Sequence, residues 1–179
     1  MKYRRAFVPG GSYFFTVVTE QRQKIFSDSN NIETLRQAFK NVMKKYPFTI
    51  DAAVILPEHL HFVWTLPPND VDFSTRWRLI KTWFTKHCKY ESVIKFNNSQ
   101  IKRGEKTIWQ HRYWEHLLRD GLDFEQHINY IHYNPVKHGY VSRAIDWKHS
   151  SFHKYVEQGI ISSNWGETKI CFSDDIGNE

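Results

Sequence analysis

His59 and His61 flank Leu60 in an apolar run, His59-Leu60-His61-Phe62-Val63-Trp64, that follows Pro57-Glu58. The run has strand composition. Strand side chains alternate faces, so both imidazoles point the same way, about 6.5–7 Å apart at Cα. Histidines so placed can close on one metal ion. Tyr130 and Asn134 are four residues apart in a stretch that reads as helix, and they share a face. A metal pair on a strand, with a tyrosine hydroxyl and an amide on one helix face, is a set of groups able to cut a phosphodiester. Two imidazoles and an amide oxygen suit Mg²⁺ or Mn²⁺, with open positions for phosphate oxygens, better than structural zinc. Such an ion polarises the phosphate. A tyrosine hydroxyl, with a pKa of about 10, attacks better beside positive charge, and His127 is a candidate neighbour.

Each group alone has a plainer reading. His-x-His can be two polar residues on a solvent-facing strand edge. Leu60, Phe62 and Trp64 argue otherwise, because they form one apolar face that would anchor the strand and hold the histidines rigidly. Tyr130 alone can be a boundary residue of an amphipathic helix. At about 100° per residue with Phe124 at zero, Ile128 and Ile131 define the core stripe at about 40° and −20°. His127, Asn134 and Tyr130 then lie on one shoulder at about −60°, −80° and −120°, while Tyr133, at about 180°, is expected to face solvent.

The elements that must position these groups are legible in outline. Strands are expected over 12–18 after the Pro9-Gly10-Gly11 turn, over 48–56 ended by Pro57, over 59–66 ended by Pro67-Pro68, and over 107–118. Helices are expected over 31–45 and 74–90. A short one, capped by Asp123 with Gln126, is expected to end near Asn134-Pro135, because the residue before proline resists helical geometry. The order is strand, helix, strand, strand, helix, strand, helix. It suggests an α+β, ferredoxin/RRM-like antiparallel sheet with helices packed on it, the two-histidine strand central and the tyrosine on a late helix.

The chain has 179 residues, 25% charged and 40% hydrophobic, which suits a soluble globular domain. Its net charge of +6 and pI near 9.3 favour an anionic partner, nucleic acid first. Between Arg76 and Arg119 there are eleven Lys/Arg against three Asp/Glu, so this is the expected anion-facing part. Between Glu157 and Glu179 there are five acids against Lys169. The division expected is one domain over 1–156 and a polar, acidic, solvated C-terminal tail over 157–179. Aromatics are unusually frequent at 16%. Trp77 and Trp83 fall on an apolar helical stripe and are expected in the core, whereas Trp109 and Trp114 are candidates for base stacking. Cys88 and Cys171 lack metal-binding spacing. No signal peptide or membrane-length apolar segment is found, so free thiols in a reducing cytoplasm are expected.

Pro57-Glu58-His59-Leu60-His61-Phe62-Val63-Trp64 resembles the histidine-hydrophobic-histidine (HUH) motif of single-tyrosine transposases. Tyr130-Ile131-His132-Tyr133-Asn134-Pro135-Val136-Lys137-His138-Gly139 resembles the tyrosine motif of the REP-associated tyrosine transposases. Segments 109–116 and 146–152 resemble the same family, and the likeness runs from about Tyr3 to Tyr155. The resemblance implies cleavage of single-stranded DNA beside hairpins of repetitive extragenic palindromes. His59, His61 and Asn134 would hold Mg²⁺ or Mn²⁺. Tyr130 would form a 5′-phosphotyrosyl link and free a 3′-hydroxyl that later rejoins strands. Related insertion-sequence transposases usually carry glutamine where this chain has Asn134.

Candidates for DNA contact are Arg76, Arg78, Lys81, Lys102, Arg103, Arg112, Arg119, Lys137 and His138. A bacterial cytoplasmic, nucleoid-associated protein is expected, as monomer or homodimer. Three alternatives stand beside this reading: a hairpin-binding protein that does not cut, a replication or mobilisation nuclease with the same two-histidine chemistry, and a zinc hydrolase, which usually wants a third histidine or a carboxylate ligand.

Overall fold

In the computed structural model, residues 6–90, 108–172 and 176 are described. The elements are β1 (Ser12–Val18), α1 (Ser29–Lys45), β2 (Thr49–Ile55), β3 (His59–Thr65), α2 (Phe73–His87), β4 (Trp114–Leu117), α3 (Gly121–Lys137) and α4 (Phe152–Glu157), with single 3₁₀ turns between some of them. The strands form one antiparallel sheet in the order β2-β3-β1-β4. The expected α+β plan holds, and β3 is an interior strand. The fourth strand is much shorter than expected. Lys102 and Arg103 lie outside the described residues, as does the start of that expected strand.

Both faces of the sheet are covered, which is why β1 and β3 are buried along almost their whole length. Tyr13, Phe15 and Val17 of β1, with Leu60, Phe62 and Trp64 of β3, pack on one side against α1 and α2. On the other side Phe14, Ala52, Val54 and Val63 pack against Ile128, Tyr130 and Ile131 of α3. His59 and His61 share the parity of Val63, so they face α3. Burying these side chains is the main stabilising contribution, about 1.5–3 kcal/mol for each large apolar one.

An aspartate caps each long helix. Asp28, Asp72 and Asp120 accept from the backbone N–H groups of Asn30, Thr75 and Asp123, contributing about 1 kcal/mol each. On α3 the cap is thus Asp120 rather than Asp123, and the helix runs on through Pro135 to Lys137. Proline at that point removes one donor in the last turn. The burial of Ile131, Tyr133, Asn134 and Pro135 holds the helical geometry past it. The helix ends where Gly139 takes φ +69°, with Gly139 N–H donating to Val136 O and Tyr140 N–H to Pro135 O.

Tyr133 is buried rather than solvent-facing. Trp165 and Phe172 cover it, with ring centroids at 6.3 and 5.8 Å. The described part of the acidic C-terminal segment therefore packs on α3 instead of being wholly solvated. Among the described residues no helix is long and apolar enough to cross a membrane. Neither Cys88 nor Cys171 is in a disulfide.

Candidate active site

β3 and α3 bring the sequence-predicted groups together. The His59 and His61 rings lie 4.9 Å apart, and the Tyr130 ring meets His61 edge-on at 5.4 Å. His59, His61 and Asn134 are fully buried and Tyr130 nearly so. The alternative of two histidines on a solvent-facing edge is thereby excluded. The first nitrogen of each ring is committed. His59 Nδ1 bonds Glu58 Oε1 at 3.0 Å, and His61 Nδ1 bonds Thr16 Oγ1 at 3.0 Å, across the β1–β3 pair that sets Thr16 opposite His61. Nε2 is then the nitrogen each imidazole would turn to a ligand. His59 Nε2 and Asn134 Oδ1 are buried atoms. A nitrogen pair oriented by Nδ1 partners, with an amide oxygen on the facing helix, fits a divalent ion as a donor set.

The positive neighbour of Tyr130 is Lys137, two turns along the same helix. Its Nζ donates to Tyr130 Oη at 2.7 Å and stands 4.7 Å from the ring centre. His127 does not fill that role. Its Nδ1 lies 3.0 Å from Asp123 Oδ1, and burial pushes its pKa down. His116 Nε2 meets the same carboxylate at 2.9 Å and stacks on His127 at 4.8 Å. Burial pushes Asp123 up, but the Arg119 backbone N–H and the two histidines outweigh it and hold the carboxyl below its usual range. The ligand atoms of His116, Asp123 and His127 lie within 4.8 Å of one another. The carboxylate occupies the point on which both imidazoles converge, so the trio acts as a staple between β4 and the first turn of α3. Only this pairing across the strand–helix turn, invisible to periodicity, could have revealed it.

The DNA-contact candidates separate by burial. Arg76 is a correction, being 1% exposed. Its guanidinium bonds Asp70 Oδ2 at 2.6 Å, Asp72 O at 2.7 Å and Pro47 O at 2.8 Å, so it ties α2 to the loops around it. Lys81 is half-buried over Trp109 and Tyr113, donates to Gln110 O at 2.8 Å, and is pushed down to about 8 by burial. It is committed to packing. Arg78, Arg112, Arg119 and Lys137 are exposed and His138 is half-buried. Trp77 is in the core as expected, and Trp83 packs partly against it. Trp109 packs on Phe26 and Phe84, and Trp114 meets Phe14 edge-on and stacks on His116, while both stay half-buried.

Residues 8–134 match the family model described as "Transposase IS200 like". A Haemophilus influenzae protein named as a REP-associated tyrosine transposase is 44% identical over 164 residues, 92% of each chain. The REP-associated tyrosine transposase of Escherichia coli K12 is 41% identical over 172 residues, 96% of this chain and 94% of that one. A solved structure described as a REP-associated tyrosine transposase bound to a REP hairpin superposes with a TM-score of 0.77, at 38% identity and 98% coverage of both chains.

Proposed function

The chain belongs to the REP-associated tyrosine transposases, within the IS200-like transposase family, and from this we propose that it cuts and rejoins single-stranded DNA beside a palindromic hairpin, with Tyr130 as nucleophile. The observation that carries the reading is the Tyr130 ring seated on His61, beside His59, within one buried site.

Tyr130 Oη forms a bond to phosphorus while the P–O3′ bond breaks. The hydroxyl proton passes to solvent and the departing 3′-oxygen takes one up. A 5′-phosphotyrosyl link and a free 3′-hydroxyl result, and attack by such a hydroxyl on the link reverses the sequence and rejoins strands. His59, His61 and Asn134 would hold Mg²⁺ or Mn²⁺, whose charge offsets that developing on the phosphate. The Lys137 ammonium on Oη favours negative charge on the attacking oxygen.

Hairpin DNA is the substrate we assign, from the relative bound to a REP hairpin and the net charge of +6. Among the candidates in the described residues, Arg78, Arg112, Arg119 and His138 are exposed or half-exposed groups placed to meet its phosphates.

The test is a denaturing gel of the protein with labelled single-stranded hairpin DNA from palindromic repeats, plus Mg²⁺ or Mn²⁺. A slow, protease-sensitive, metal-dependent band is expected. Tyr130→Phe should bind the hairpin and form no band. An adduct that persists in Tyr130→Phe would make another residue the nucleophile. Hairpin binding by the wild type without any adduct would favour the non-cutting hairpin binder.

A further inference from the structure

The two metal-site histidines are held by unlike partners. His61 Nδ1 meets a neutral hydroxyl, that of Thr16, whereas His59 Nδ1 meets the carboxylate of Glu58. The other oxygen of that carboxylate, Oε2, accepts from Tyr140 Oη at 2.9 Å. Glu58 is itself held from behind, because the N–H of Thr19 donates to its backbone carbonyl at 2.9 Å, and the Thr19 hydroxyl, shared with Gln23 O, lies 2.8 Å from the same oxygen. Its side chain is 9% exposed and that of His59 is 0%.

We propose that Glu58 and Tyr140 are positioning residues that orient His59 and raise its donor strength toward the divalent ion, coupling the metal pair on β3 to the end of the helix that carries Tyr130 and Asn134. The inference rests on the metal site proposed above. A carboxylate at Nδ1 fixes the proton there and so fixes Nε2 as the electron-pair donor. It also makes the imidazole more basic than a hydroxyl partner would. Tyr140 reaches Glu58 because of how α3 ends. The Gly139 turn at φ +69° and the Tyr140 N–H bond to Pro135 O fold the chain back toward the start of β3, and Trp147 packs on the Tyr140 ring at 5.5 Å. Residues 82 apart in sequence thus share one hydrogen bond at the junction of the two elements that build the site.

The test is Mn²⁺ titration of the full chain without DNA, following the free-ion electron paramagnetic resonance signal. The proteins are wild type, Glu58→Gln, Tyr140→Phe, Thr16→Val and His59→Ala, each checked for wild-type circular dichroism. Glu58→Gln should bind Mn²⁺ about 10–100-fold more weakly, with Tyr140→Phe shifted the same way and Thr16→Val shifted less. Hairpin cleavage by Glu58→Gln and Tyr140→Phe should recover at saturating Mn²⁺, which a merely structural lesion would not do. The relay is overturned if Glu58→Gln and Tyr140→Phe bind Mn²⁺ like wild type while His59→Ala does not, or if added metal fails to restore cleavage. Unchanged Mn²⁺ binding in His59→Ala would instead overturn the metal site itself, and the relay with it.

Discussion

Lys137 Nζ donates a 2.7 Å hydrogen bond to Tyr130 Oη, from two helical turns further along α3. The bond joins an exposed cation to a buried phenol. It places positive charge, from within the same helix, on the oxygen assigned as nucleophile.

Removing that charge should slow attack more than it weakens binding. Lys137→Gln is expected to lower the rate of covalent adduct formation on the order of 10²-fold, the scale for loss of one donor to a developing anion. Lys137→Arg should retain part of the rate. Single-turnover adduct formation beside hairpin affinity at fixed salt decides this; equal losses in both would make Lys137 a DNA-contact residue only.

The histidine pair should matter to chemistry and not to hairpin capture. His61→Ala is expected to cut adduct formation by at least about 10²-fold while hairpin affinity in chelator stays within about threefold of wild type. Gel-shift and denaturing assays on the same preparation separate the two. Full cleavage by His61→Ala would remove the metal assignment.

Arg76 and Arg112 should behave oppositely although both are arginines in the basic stretch. Arg76→Ala strips a buried guanidinium from Asp70 and Pro47 and should cost about 3 kcal/mol of stability, read from urea unfolding. Arg112→Ala should leave stability unchanged and reduce the salt slope of hairpin affinity by about one. A stable Arg76→Ala protein would contradict its role as a tie between α2 and the loops.

Stability should fall on the acid side of neutrality. Burial of His132, whose Nε2 lies 2.9 Å from Ser151 Oγ, pushes it down to about 3. The folded state keeps it neutral, while the unfolded chain binds a proton below about pH 6.5, so unfolding gains protons and stability declines as pH drops from there toward 3. By about pH 5 the loss should be about 2 kcal/mol. Urea unfolding at about pH 7.5 and about pH 5 checks it, and His132→Gln should show a smaller difference between them. Equal differences would place the acid sensitivity elsewhere.

Local periodicity made much of the site readable. Alternation along β3 puts His59 and His61 on one face and Leu60, Phe62 and Trp64 on the other, whatever the strand packs against. Four-residue spacing on a helix does the same for Tyr130 and Asn134. Order and type of the elements from β1 to α3 followed from the same patterns, though α4 did not, and so did the α+β sheet with β3 inside it. What periodicity cannot carry is which segment covers a face, because that depends on contacts between residues distant in the chain. Tyr133 looks outward on a helical wheel, yet Trp165 and Phe172 close over it. Arg76 reads as one more surface cation, yet Asp70 and Pro47 meet it in the interior. The partners that orient the site were decided at the same level. Thr16 reaches His61 through strand register, and Tyr140 reaches Glu58 through the turn that ends α3.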